Sequence, residues 1–263
     1  MPEYNATDPW STDAVPRRVM PLLFLVDTSG SMEGAKIASL NTAVREALND
    51  VGVISHTNAD AQIKVAVLEF SSGVDWMYPQ PMDSESFVWQ DLEAGGLTSF
   101  GEALQELNKK LSKSNGYMSE PTGTRAPAII LLSDGEPTDE YKHALETIKG
   151  NPWFKVAVKV AIAIGDDANK GILAEFTGNI EAVITVHNVD QLKKIIHTVS
   201  VTASMVASQS ASAVDTTDSG KPAGLADPTS QVVGKLTDDI KEEPGIDQGN
   251  STANSGTDNW GDW

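Results

Sequence analysis

From Val19 to Val206 the chain alternates short apolar runs with stretches in which apolar residues return every three or four positions. Val19-Met20-Pro21-Leu22-Leu23-Phe24-Leu25-Val26-Asp27 is apolar almost throughout, the pattern of a strand covered on both faces. Pro21 lies near its start, where a missing N–H is tolerated. Residues 36–48 place Ile37, Leu40, Val44 and Leu48 at helical spacing. Residues 61–70 alternate with period two and predict a second strand, followed by a short third over 74–78 that Pro79 and Pro81 stop. A second amphipathic helix is predicted over 99–111, with Leu104, Leu107 and Leu111 on one face.

Residues 127–132 form another doubly buried strand, ending at Ser133-Asp134-Gly135. A helix over 139–149 and an alternating strand over 155–164, closed by Gly165, come next. A short helix over 169–176, a strand over 182–186 and a helix from 189 to about 206 complete the pattern. Strands alternating with helices predict an α/β fold: a doubly wound, mostly parallel central sheet flanked by helices on both faces.

The two ends read differently. Residues 1–17 are polar and broken by Pro2, Pro9 and Pro16, so they are expected as an extended N-terminal arm; its Trp10 either packs on the domain or meets a partner. Residues 18–206 form the domain. From 207 to 263 the composition turns to Ser, Thr, Ala, Gly, Pro and Asp, with ten acidic against three basic residues beyond 210, and a disordered acidic tail is expected. That tail ends in Asp258-Asn259-Trp260-Gly261-Asp262-Trp263.

Charge narrows the partners. The 263 residues include 37 acidic and 19 basic side chains, a formal net charge of −18, which disfavours nucleic acid and anionic membrane surfaces. There is no cysteine, so disulfides, thiolate catalysis and Cys-type zinc sites are excluded. No apolar run approaches the roughly 20 residues of a membrane span. The segment Met1-Pro2-Glu3-Tyr4-Asn5 carries neither the basic nor the apolar part of a secretion signal, and a cytoplasmic location is expected.

The candidate chemistry gathers at strand ends. Asp27-Thr28-Ser29-Gly30-Ser31 follows the first core strand, at the carboxyl edge where open α/β sheets bind ligands. A carboxylate and two hydroxyls at alternate positions offer three oxygen donors from one tight loop, and oxygen donors select hard cations. A Ser/Thr-rich loop ahead of a helix also serves as an N-cap, so this loop alone does not decide. Gly95-Gly96-Leu97-Thr98-Ser99 opens the second helix with another hydroxyl, and Ser133-Asp134-Gly135 ends the next buried strand with another carboxylate. Glu136 and Asp139 add either a second acidic lobe or solvated loop charges. Gly30-Ser31-Met32-Glu33-Gly34 lacks the Gly-Lys-Ser/Thr of a phosphate loop. His56, His143, His187 and His197 show no ligand spacing, and no Ser/His/Asp arrangement is apparent.

With those three segments in order, residues 18–206 resemble von Willebrand A domains. Asp27, Ser29, Ser31, Thr98 and Asp134 match that family's metal-ion-dependent adhesion site in order, type and spacing. The resemblance implies a divalent cation, Mg²⁺ first with Mn²⁺ or Ca²⁺ as alternatives. Ser29, Ser31 and Thr98 would then ligate directly and Asp27 and Asp134 through water. It implies a protein partner that presents an Asp or Glu to the ion, and no enzymatic activity. The lead-in Arg17-Arg18-Val19-Met20-Pro21 is most similar to bacterial intracellular members of the tellurium-resistance-associated TerY type. These act in stress-response or kinase/phosphatase assemblies. Two other functions stay open: an adaptor subunit of an AAA-ATPase or chelatase-type complex, and a metal-assisted hydrolase. Trp260 and Trp263 are expected to dock on the chain's own domain or on another protein, unless the tail is merely solubilising.

Overall fold

The computed structural model describes residues 17–57, 61–114, 116–210, 228–240 and 247–248. Apart from Arg17, the expected N-terminal arm with Trp10 lies outside them, as do Trp260 and Trp263. Among the described residues the sheet has eight strands: β1 (Arg18–Asp27), β2 (Ala61–Phe70), β3 (Val74–Trp76), β4 (Met82–Asp83), β5 (Ala128–Ser133), β6 (Val158–Ile164), β7 (Val183–Val186) and β8 (Asp247–Gln248). Their order is β3-β2-β1-β5-β6-β7-β8, with β4 also on β2. The five long central strands run parallel. The three short ones, β3, β4 and β8, are antiparallel additions at the margins.

Seven α-helices accompany the sheet among the described residues: α1 (Ala35–Thr57), α2 (Phe100–Lys110), α3 (Tyr141–Lys149), α4 (Pro152–Val156), α5 (Lys170–Thr177), α6 (Val189–Ser210) and α7 (Pro228–Ile240). The period-two geometry of β1 sends its side chains alternately into two separate cores. Met20, Leu22, Phe24 and Val26 pack with Leu40 and Val44 of α1 and with Ile195, Ile196 and Val199 of α6. Leu23 and Leu25 face the other way, toward Leu104 and Leu107 of α2, Leu145 and Ile148 of α3 and Phe176 of α5. Both faces are therefore covered, which is why β1, β5 and β6 are buried at nearly every residue. No helix among the described residues is long and apolar enough to cross a membrane.

Several boundaries differ from the sequence expectation. The first helix runs to Thr57 because Val51 and Ser55 stay buried against the domain after Leu48. The strand expected from 155 begins at Val158, since Asn151 caps α4 and Pro152 starts it; Val156 ends that helix, half exposed. Within 207–263, α7 buries Thr229, Val232 and Val233, the Thr229 hydroxyl accepts from the Lys159 backbone N–H (3.2 Å), and β8 pairs with β7.

Candidate metal centre

Strand register brings the first and third loops together. Asp27 ends β1 opposite Phe70 of β2, and Val26 pairs with Leu132 of β5, so Asp27 and Ser133 leave the sheet side by side. The Asp27 carboxylate is fully buried. Its Oδ1 accepts from the Ser29 N–H at 2.9 Å and its Oδ2 from the Ser133 hydroxyl at 2.6 Å. The Ser133 oxygen in turn accepts from the Gly135 N–H at 2.8 Å. Burial pushes the Asp27 carboxyl above the ordinary carboxylate range, against the lowering hydrogen bonds from Ser133 and Ser29, and the neighbouring Asp134 charge adds to the rise.

The second loop is stitched to both others by backbone bonds. Gly95 N–H donates to the Thr28 carbonyl (2.8 Å) and Gly30 N–H to the Gly96 carbonyl (3.2 Å). Thr98 N–H donates to the Thr138 hydroxyl (3.0 Å), and Thr138 N–H returns to the Thr98 carbonyl (2.9 Å). Gly96 has φ +85°, and a Cβ there would collide with the Ser72 hydroxyl, so only glycine fits this crossing. Thr98 is buried, while its neighbour Leu97 is 59% exposed.

All five predicted residues thus lie on three mutually bonded loops at the carboxyl end of the sheet. Ser29 and Ser31 hydroxyls are 3.0 Å apart. Asp134 is buried, and its Oδ1 has no hydrogen-bond partner. Its Oδ2 meets the Lys36 ammonium at 3.4 Å. A buried, unpartnered carboxylate oxygen is costly without a cation or ordered water to meet it. Among the described residues no group of three or more His, Cys, Asp or Glu forms a metal cage, so an ion here would depend on the hydroxyls. The residues fit a hard cation.

Other expectations resolve differently. Asp139 is no acidic lobe: its two oxygens accept from the Gly101 and Glu102 N–H groups at 3.0 and 3.2 Å, at the start of α2. Glu136 accepts from the Asn169 side chain at 3.0 Å. Three participants lie beyond the five predicted site residues. Ser133 bonds Asp27 across 106 positions, Lys36 meets Asp134 across 98, and Asp167 joins through Lys36. The Ser-Asp dipeptide closing a buried strand was a signal for Ser133; nothing local marks Lys36.

A doubly wound sheet with hydroxyl and carboxylate donors on three strand-end loops defines a class of binding domain. A sequence model of the von Willebrand factor type A domain matches residues 22–198, and the chain belongs to that family. Its domains are generally metal-dependent protein-interaction modules. The chain is similar to inter-alpha-trypsin inhibitor heavy chain H4 of Sus scrofa, 30% identical over 140 residues that cover 51% of this chain and 14% of the relative. It is also similar to collagen alpha-6(VI) chain of Homo sapiens, 25% identical over 182 residues, 66% of this chain and 7% of that one. It therefore spans only a small part of these relatives. Among solved structures, a von Willebrand factor type A protein from Catenulispora acidiphila aligns with TM-score 0.52 at 19% identity, covering 72% of this chain and 43% of its own. Proximal thread matrix protein 1 from the mussel byssus, in a form with a zinc-occupied MIDAS motif, aligns with TM-score 0.50 at 19% identity, covering 70% and 48%. Likeness at this level shows the fold.

Proposed function

We propose that this chain binds a protein partner through one divalent cation, Mg²⁺ before Mn²⁺ or Ca²⁺, held by Asp27, Ser29, Ser31, Thr98 and Asp134. Ser29, Ser31 and Thr98 offer hydroxyl ligands, while Asp27 and Asp134 hold water ligands in place. An ion with few directly bound anionic groups stays electrophilic and draws an Asp or Glu from outside. The observation that carries this reading is the buried, unpartnered Oδ1 of Asp134, at the same sheet end as the Ser29–Ser31 pair. Leu97, exposed beside Thr98, adds an apolar contact for the partner.

Binding rather than catalysis is the reading we adopt, because the sequence offers these carboxylates but no separate general base. A cytoplasmic bacterial setting, in a stress-response or kinase/phosphatase assembly of the tellurium-resistance type, rests on the Arg17–Pro21 lead-in. The terminal Trp260 and Trp263 serve as a docking element for the chain's own domain or a second protein.

The test is capture from native bacterial extract on the full chain, with Mg²⁺ or with EDTA. A partner retained with Mg²⁺ and released by EDTA is expected; equal retention overturns the reading. Recovery of an AAA-ATPase points to the adaptor role instead, and Mg²⁺-dependent hydrolytic turnover to an enzyme.

A further inference from the structure

Lys36 stands in the first turn of α1, and its ammonium reaches the loops that follow β5 and β6. It meets Asp134 Oδ2 at 3.4 Å and Asp167 Oδ1 at 3.2 Å. Gly165, at the end of β6, clears the way: its φ is +90°, and a Cβ there would press to 3.1 Å from Lys36 Cε. The side chain is only 18% exposed, and Asp134 is 5% exposed, so this pair is shielded from water. Asp167, at 73%, is not. The ammonium is thus suspended between a buried carboxylate of the cation pocket and a solvated one outside it.

We infer that Lys36 is an internal counter-charge that weakens the pocket's hold on the bare cation and keeps Asp134 from ligating it directly. The inference rests on the metal-site reading above. One oxygen of Asp134 is engaged by the ammonium and the other is left unpartnered, so the carboxylate meets an ion with half its capacity and with a positive charge beside it. Asp134 is thereby held as a positioning group for water. Asp167 draws the ammonium outward and moderates its effect. The pocket then gains most when an outside carboxylate supplies the missing negative charge. Lys36 therefore sets how strongly cation binding depends on the partner.

The two lysine contacts make opposite predictions. In the full chain, Lys36→Met keeps the stem and removes the charge; Mn²⁺ affinity, read by calorimetry, should rise at least tenfold. The number of water molecules on bound Mn²⁺, read by proton relaxation, should fall by one as Asp134 ligates directly. Asp167→Asn, at an exposed position with little risk to folding, leaves the ammonium to Asp134 alone and should lower Mn²⁺ affinity about threefold. Lys36→Arg should stay within about twofold of the parent. A purely structural lysine would weaken binding in the Met variant and leave the Asn variant unchanged, and either result overturns the inference. If Lys36→Met does not fold, Asp167→Asn decides alone: unchanged or tighter Mn²⁺ binding overturns it. Failure of the site itself is distinguishable, because the parent chain would then show no saturable Mn²⁺ binding, or binding that survives Asp27→Ala with Ser29→Ala.

Discussion

The loops that end β1 and β5 each carry a buried aspartate, and the two are held in opposite ways. Asp27 has both oxygens filled by donors from the protein itself, one of them the Ser133 hydroxyl from the neighbouring strand. Asp134 has one oxygen on an ammonium and one with no partner. Identical side chains, about equally buried, therefore do different work. Asp27 fastens two strand ends together, and Asp134 keeps acceptor capacity in reserve. A sequence motif that places both in one donor set conceals this division.

Stability should separate them most sharply. Asp27→Ala strands the Ser29 N–H and the Ser133 O–H in the interior, at roughly 1–3 kcal/mol each, partly offset by losing a desolvated carboxylate. A net loss of about 2–3 kcal/mol is expected. Asp134→Ala removes one partly screened ion pair together with an unsatisfied oxygen and should cost about 1 kcal/mol or less. Urea denaturation of the metal-free proteins checks this, and equal losses would dissolve the distinction. Both variants should lose cation binding.

Thr98→Ala sharpens the comparison from the second loop. Its backbone bonds to Thr138 persist without the hydroxyl, so stability should hardly change. Partner affinity should fall at least tenfold, about 1.4 kcal/mol. Titration of the purified partner against both proteins at saturating Mg²⁺ is the measurement, and unchanged affinity would put the partner surface elsewhere.

A smaller effect, on pH dependence, is expected from Asp27→Asn. Burial raises the Asp27 carboxyl in the folded state, so the folded protein holds that proton more tightly than the unfolded chain. Through this group stability is greatest at acid pH and falls as pH rises through the folded value. The neutral amide removes that pH dependence but cannot accept from both donors, since its NH₂ group faces either the Ser29 N–H or the Ser133 O–H. The fall in melting temperature from acid to neutral pH should therefore be smaller in the metal-free variant than in the metal-free parent, and an equal fall would mean that another group sets the pH dependence. Mg²⁺ should raise the melting temperature of the parent but not of this variant.

Most of the sheet was legible because a parallel strand buried on both faces cannot afford polar residues, and β1, β5 and β6 read as near-continuous apolar runs. The five candidate ligands were legible because they sit where those runs stop. Tertiary context hid the remainder. β4 has two residues, and only its register with Lys64 and Val65 makes it a strand. α7 lies within a polar, acidic stretch, and two buried valines and a threonine are too few for a clear periodic signal. Asp139 read as part of an acidic lobe or as a solvated loop charge, and nothing local shows that its carboxylate caps α2. Lys36 was indistinguishable from any solvent-facing lysine in a first helical turn.

The Asp27–Ser133 hydrogen bond also has a consequence in time. It joins residues 106 positions apart, and β1 gains its second parallel neighbour only when β5 arrives. Such distant pairings are slow to form, because a long loop must close before any contact rewards it. During synthesis the first loop therefore emerges well before the strand that anchors its aspartate. A chain interrupted before Ser133 would carry the Asp-Thr-Ser-Gly-Ser signature without its fastening, and a ligand that reads the assembled pocket reports on a finished fold.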